Sequence, residues 1–374
     1  MSHSVKSRVA PCEYIEWALS VPAGARFDLT KSGMPDAMTH EVAANWRDEL
    51  DLATSCRRDA HAATRRAFVE LVAARYEVDA DRVVPTCGAS LALTQSLMTL
   101  VRPGDHVVVE RPTYEPLYRV PELLGAEVSR LERCADEGWA ALPDRLARLL
   151  TPRTRVVLLS NLHNPTGVAT AASALIEIGD MAARVGAMVL CDEVYLDYAF
   201  RSEAAQPAAV TIDNAISWSS TSKCFGFGAL RIGWMIAPNP EVAGAIERMA
   251  AFLYMTVPNA SLQLATAVLA RSEEYTARAR RVGESGRRIV ERWLDAETRV
   301  RWTRPDAGLT GLVELPALMS DRELSHHLRE RYDTQVVPGA LFEAPGNVRL
   351  SYGLPDAALE QALANFSDAL DDLS

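Results

Sequence analysis

Through the middle of the chain, short apolar runs rich in β-branched residues alternate with longer stretches whose apolar positions recur every three or four residues. The runs are Arg82–Pro85, His106–Glu110, Glu127–Leu131, Arg155–Ser160, Ala187–Cys191, Ala215–Ser219 and Leu230–Ala237. Between them, Ser90–Leu100 and Ala172–Val185 carry the helical spacing. Strands alternating with helices predict an α/β fold: a seven-stranded, mostly parallel sheet with helices on both faces. After about residue 240 the pattern changes. A helical region from Pro240 to Leu294, dense in Ala, Arg and Glu, precedes strand-like pieces at Val300–Pro316 and Gln335–Gly353, with a helix near Asp321–Tyr332 between them. These predict a smaller α/β lobe built from both termini, because the strand–helix series starts only after the first stretch. The expected division is a large cofactor-binding lobe over 46–255 and a small lobe from 1–45 and 256–374.

Length agrees with two lobes: 374 residues exceed the ~250–300 at which a single core stops growing. With 48% hydrophobic and 24% charged residues, the chain is neither disordered nor fibrous. Its 39 basic and 49 acidic residues leave a net charge of −10, which speaks against a nucleic-acid partner. No apolar run approaches the ~18 residues a membrane helix needs, so no membrane partner is expected. The first ten residues lack the apolar segment of a signal peptide, and a cytoplasmic protein is expected. Cys12, Cys56, Cys87, Cys134, Cys191 and Cys224 are irregularly spaced with no CxxC pair, and read as reduced thiols. His326-His327 is the one adjacent histidine pair and no HExxH occurs, so no metal is expected.

In parallel α/β sheets, ligands sit beyond the carboxyl ends of the strands. The first run is followed by Thr86-Cys87-Gly88-Ala89-Ser90, a small-residue turn into a helix that suits an anion. The second is followed by Arg111-Pro112-Thr113-Tyr114, which sets an aromatic ring at a strand end. Asn161-Leu162-His163-Asn164-Pro165-Thr166-Gly167 follows the fourth, and the fifth ends in Cys191-Asp192-Glu193-Val194-Tyr195. A carboxylate at the end of a buried strand is costly unless it is paired or faces a cation, and a protonated ring nitrogen would satisfy it. The sixth leads through Ser220-Thr221-Ser222 to Lys223, with Arg231 eight residues on. A desolvated lysine is an amine nucleophile, and a nearby arginine clamps phosphate. Each feature alone has a plain structural reading as a capped turn, a core ring or a surface charge. Their order along successive strands matches the needs of pyridoxal 5′-phosphate: a phosphate to hold, a ring to stack, a phenolic oxygen to bond, a ring nitrogen to keep protonated and an aldehyde to trap.

The Asn-Pro-Thr-Gly, Asp-Glu-Val-Tyr and Ser-x-Ser-Lys-(x)7-Arg-x-Gly motifs together resemble the class I/II aminotransferases, fold-type I pyridoxal-phosphate enzymes. The resemblance runs from Asp28-Leu29-Thr30-Lys31-Ser32-Gly33-Met34-Pro35 to Val348-Arg349-Leu350-Ser351-Tyr352-Gly353. It implies that Lys223 forms the Schiff base and shuttles the proton, and that Asp192 partners the ring nitrogen. Asn164 and Tyr195 then bond the phenolic oxygen, and Tyr114 stacks on the ring. Ala89, Ser90, Ser220 and Arg231 form the phosphate cup, with Ser222 beside the lysine. Arg349 clamps the substrate α-carboxylate, near a backbone contact from Gly33 and beside Asn164. The implied reaction is transamination between an α-amino acid and a 2-oxo acid in a homodimer. The same scaffold also hosts β-lyases, decarboxylases and cyclising synthases of secondary metabolism, which stay open as alternatives. One departure stands out. The family's cross-subunit Tyr, followed by Gly, has no counterpart in Ala53–Arg65, where Arg57, Arg58 and His61 stand instead. Either Arg57 or Arg58 crosses to the partner's site, or the stretch is an exposed loop.

Overall fold

The structure, a computed structural model, describes residues 11–20, 24–35, 51–57, 59–199 and 206–373. The seven predicted runs form one sheet: β2 (Val83–Thr86), β3 (His106–Arg111), β4 (Glu127–Glu132), β5 (Thr154–Ser160), β6 (Met188–Asp192), β7 (Ala215–Ser220) and β8 (Gly233–Ile236), with β1 (Phe27–Asp28) elsewhere. Their spatial order is β2-β8-β7-β6-β5-β3-β4. The pairs β3–β4, β3–β5, β5–β6 and β6–β7 are parallel, and β8 is antiparallel to both β7 and β2. Six strands therefore end at one edge.

The central strands are apolar on both faces because helices cover both, whereas β4 at the edge is polar and half-exposed. Val107, Val109, Val156 and Leu158 face one core, while Val108, Val157, Leu159 and Val189 face the other. That alternation is the period of two expected of a strand. Helices α1 (Glu13–Ser20), α2 (His61–Tyr76), α3 (Ala89–Leu100), α4 (Pro116–Leu123) and α5 (Ala172–Arg184) come next in chain order. On the second face, α5 packs Leu175, Ile178 and Ala182 against the sheet. Its helical spacing in the sequence is this buried stripe.

The long helical region is three helices: α6 (Pro240–Leu253), α7 (Asn259–Ala270) and α8 (Ser272–Ala296). Pro258 caps α7, and its missing N–H makes it a natural breakpoint. Beyond them lie β9 (Arg301–Trp302), β10 (Thr310–Glu314), α9 (Asp321–Tyr332), β11 (Thr334–Gln335), β12 (Val337–Pro338), β13 (Asn347–Ser351) and α10 (Asp356–Asp372). A second, antiparallel sheet has the order β12-β13-β10-β9, and β1 pairs with β11. Its core gathers Val290, Leu324, Leu328, Val348, Leu350 and Phe366. Among the described residues, no helix is long and apolar enough to cross a membrane.

Residue 255 does not separate the two cores. Leu262, Ala265, Val268 and Leu269 of α7 belong to the large-sheet core, as do Tyr275 and Ala279 at the start of α8, whereas Ile289 and Val290 pack in the small one. We propose that the lobes divide inside α8, a 25-residue helix that spans both. An Ala-rich stretch carries too weak a stripe to reveal which core it faces.

Candidate active site

A cavity of about 440 Å³ opens at the carboxyl edge of the large sheet. Of the residues singled out from the sequence, Ala89, Ser90, Tyr114, Asn164, Asp192, Tyr195, Ser222, Lys223 and Arg231 line it. Ser220, Gly33 and Arg349 stand just outside the lining.

Each arrives by a strand end. Asp192 is the last residue of β6, and its Oδ1 accepts a 3.3 Å hydrogen bond from the Val194 amide. Burial pushes its carboxyl up to about 7, against the pull of Val194 and the Lys223 amine. Ser220 ends β7, where its Oγ meets Ser222 Oγ at 2.5 Å. Three residues on, Lys223 sends Nζ to Ser32 Oγ at 2.8 Å and lies 5.8 Å from the Tyr195 ring centre. Its carbonyl accepts from the Met34 amide at 2.8 Å and from the Tyr198 hydroxyl at 3.0 Å. Because β8 reverses direction, the connection from Thr221 to Ile232 stays at this edge and brings Arg231 back beside α3.

Gly88 precedes α3 with φ +85°, and a Cβ there would stand 2.8 Å from Arg231 Nη2. Glycine is required on both counts. The α3 N-terminus, with Ala89 and Ser90, and the Arg231 guanidinium form a cradle suited to an anion.

Asn164 sits on the loop after β5. Its amide N donates to Ser160 Oγ at 3.2 Å, and its Oδ1 accepts from Arg349 Nη1 at 3.1 Å. Arginine only donates, so this bond leaves Asn164 Nδ2 as a donor. The loop is braced by His163, whose Nε2 donates to the Pro112 carbonyl at 2.8 Å. Burial holds His163 well below the usual histidine value, so it is neutral. Arg349, on β13, is 1% exposed and stacks 4.7 Å from the Phe342 ring centre. Its Nη2 donates to the Thr30 carbonyl at 2.9 Å, and its buried Nε has no partner among the described residues. Gly33 lies against the Lys223 backbone, where a Cβ would stand 3.1 Å from Lys223 Cα.

Sequence reasoning missed Tyr14, Ser32, Ser160 and Glu110. Tyr14 comes from α1 and lines the cavity, its hydroxyl 3.4 Å from Arg349 Nη2 and its ring edge-on to Tyr114 at 5.2 Å. Burial alone would raise its hydroxyl, but the Arg349 and Lys223 charges outweigh it and hold Tyr14 below a tyrosine's ordinary value. No sequence signal marks a lone tyrosine ahead of the strand series. Ser32 lies inside a quoted motif but carried no assigned role. Glu110 did carry a signal: a carboxylate closing the apolar run Val107-Val108-Val109. It is fully buried, paired with Arg133 at 2.7 Å, and accepts from the Ser160 amide at 2.7 Å. Arg57 is exposed and paired with Asp59, its Nε 3.0 Å from Oδ1; Arg58 lies outside the described residues.

The donor set fits pyridoxal 5′-phosphate. The buried Asp192 carboxylate suits a protonated ring nitrogen, the Asn164 Nδ2 donor a phenolic oxygen, the Gly88 cradle a phosphate and the Lys223 amine an aldehyde.

Comparison with known proteins agrees. The sequence profile of the class I and II aminotransferases matches residues 28–366. The chain is 27% identical over 309 residues to the arginine–pyruvate transaminase of Pseudomonas aeruginosa, covering 80% of this chain and 78% of that protein. It is 29% identical over 301 residues to the capreomycidine synthase of Streptomyces vinaceus, covering 80% and 77%. Among solved structures, a pyridoxal-phosphate-dependent aminotransferase from Streptococcus suis superposes with a TM-score of 0.85 at 25% identity, covering 98% of this chain and 99% of that one. The chain belongs to the class I and II aminotransferase family, whose members work with pyridoxal 5′-phosphate.

Proposed function

We propose that this protein moves an amino group between an α-amino acid and a 2-oxo acid, with Lys223 as the residue that attaches the cofactor and carries the proton. The observation that carries this reading is the convergence of Lys223, Asp192 and Arg231 on one cavity, with Arg349 behind Asn164. Pyridoxal 5′-phosphate, when bound, supplies an aldehyde carbon for the amino group and a ring that accepts negative charge. Ser90, Ser220 and Arg231 hold its phosphate, while Tyr114 covers the ring and excludes water. Asp192 holds a proton on the ring nitrogen, and Asn164 Nδ2 and the Tyr195 hydroxyl donate to the phenolic oxygen. Arg349, held behind Asn164, offers its guanidinium to the substrate carboxylate and so aligns the α-carbon. Lys223 Nζ takes the proton from that carbon and returns it at the carbon that receives the nitrogen. The working form proposed is a cytoplasmic homodimer, a reading suited by the six unpaired cysteines and testable by sedimentation.

Incubation with an amino acid alone tests the chemistry. A transaminase forms one equivalent of oxo acid per site and stops until a 2-oxo acid is added. Continuous turnover or ammonia release would overturn this reading. The likeness to capreomycidine synthase supports a second reading, a cyclising synthase using the same residues. That outcome leaves the cofactor unchanged after each cycle, so the same incubation separates the two.

A further inference from the structure

The segment Asp28–Pro35 is a strap that ties the two lobes across the cavity. At one end, Leu29 N donates to the Gln335 carbonyl at 2.9 Å and the Leu29 carbonyl accepts from Ser351 N at 2.8 Å. The Thr30 carbonyl then receives Arg349 Nη2 at 2.9 Å. At the other end, Met34 N donates to the Lys223 carbonyl at 2.8 Å. Between these anchors stands Ser32, 6% exposed and lining the cavity. Among the described residues, its Oγ is the one hydrogen-bond acceptor for Lys223 Nζ, at 2.8 Å.

The Lys223 amine is part-buried, and an amine drawn away from water needs an acceptor inside the cavity. Lysine's flexible four-carbon stem also leaves the amine many rotamers, which a single partner can restrict. An apolar residue at position 32 would leave the amine free to turn away. Asp192 attracts it through charge, yet no hydrogen bond joins the two side chains among the described residues.

We propose that Ser32 is a further catalytic residue: its hydroxyl holds the Lys223 amine in the cavity whenever that amine is not joined to the cofactor. The hydroxyl is needed twice, when the cofactor-free protein captures its aldehyde and when the substrate amine has displaced the lysine. Its fixed position comes from the strap, which is bound on one side to Lys223 itself and on the other to Arg349. This inference rests on Lys223 being the attachment residue.

Ser32→Ala removes one oxygen and leaves the strap's backbone bonds in place. Three measurements on the full-length protein test it. Binding of 4-deoxypyridoxine 5′-phosphate, which has no aldehyde, reports the pocket alone. Attachment of pyridoxal 5′-phosphate to cofactor-free protein, in which Nζ replaces the aldehyde oxygen and one water leaves, is followed by absorbance and by borohydride fixation. The amino-acid half-reaction is followed at saturating substrate. The expected result is unchanged deoxypyridoxine phosphate affinity, attachment slowed about fivefold or more, and a half-reaction slowed similarly with unchanged apparent substrate affinity, the equivalent of one lost hydrogen bond. Attachment at the parent rate overturns the proposal, as does a slowing matched by equal loss of deoxypyridoxine phosphate affinity. The sequence contains only three lysines, Lys6, Lys31 and Lys223, so the fixed peptide is unambiguous. If the parent protein attaches cofactor at Lys31 or nowhere, the reading of Lys223 itself fails, a different outcome from either of these.

Discussion

Among the described residues, the Lys223 amine is the cation whose charge reaches the Asp192 carboxyl, and burial pushes that carboxyl from 3.8 up to about 7. A folded-state value above the unfolded one stabilises the protein at low pH, and that stability is lost as pH rises through the folded value. The cofactor-free protein should therefore melt at progressively lower temperature from about pH 4 to about pH 7. The buried Glu193, pushed up to about 8, adds to the same slope. Asp192→Asn should remove the Asp192 share, and so should bound cofactor, whose ring proton keeps the carboxylate ionised; calorimetry across that range checks both. The same variant should retain cofactor while slowing the half-reaction by roughly a hundredfold or more. At Arg349, the planar guanidinium already spends two N–H groups on Asn164 and Thr30. Lysine cannot keep those bonds and also grip a carboxylate. Arg349→Lys should lower kcat/KM for amino acids roughly 10–100-fold, with cofactor affinity nearly intact by fluorescence titration. Tyr14→Phe keeps the ring on Tyr114 and deletes only the hydroxyl at Arg349. A rise of about fivefold in amino-acid KM, with kcat little changed, is expected in steady-state assays.

Among the elements, α8 is the one that joins the two cores. Gly286 lies where α8 crosses the exit of β13, and a Cβ there would run into the Tyr352 carbonyl. Gly283 makes a similar approach, a Cβ standing 2.6 Å from the Gly308 carbonyl. Backbone oxygens cannot swing aside as a side chain can, so Gly286→Ala should cost about 1–3 kcal/mol and lower Tm in a melting scan. Nothing in the sequence pattern marked these glycines, because a glycine inside a helix reads only as a weak helix former. The central sheet strands were legible for the opposite reason: burial on both faces makes β3, β5 and β6 nearly continuous apolar runs. The helix Asp321–Tyr332 was legible too; in the structure Ser320 caps it, its side chain accepting from Glu323 N at 3.2 Å. Site residues at strand ends followed from the strands. Tyr14 and Ser32 did not, since each reaches the cavity through tertiary contacts that no local pattern encodes.

At the scale of the whole molecule, the strap, α8 and the contact of Arg349 with Asn164 tie the two lobes around the cavity. Backbone links join them, such as Thr113 N to the Phe342 carbonyl at 3.1 Å and Asp306 N to the Gly167 carbonyl at 3.0 Å. The six parallel strands present one edge to this meeting point, and the single reversed strand, β8, decides how the edge is furnished. A parallel crossover after β7 would need a dozen or more residues and would carry the chain to the far edge. Reversal instead keeps both feet of the Thr221–Ile232 loop on the same edge. Lys223 and Arg231, proposed to attach the cofactor and to hold its phosphate, are consequently coupled by the length of this loop. An insertion cannot shift one without dragging the other, so this loop should resist length changes that ordinary surface turns accept. One glycine added between Gly226 and Phe227 should abolish attachment at Lys223 even where the protein still folds by circular dichroism. The same glycine added after Gly104, whose flank is open to solvent, should leave attachment unchanged. For anyone recombining such proteins, the loop is a single cassette: it transfers whole or not at all.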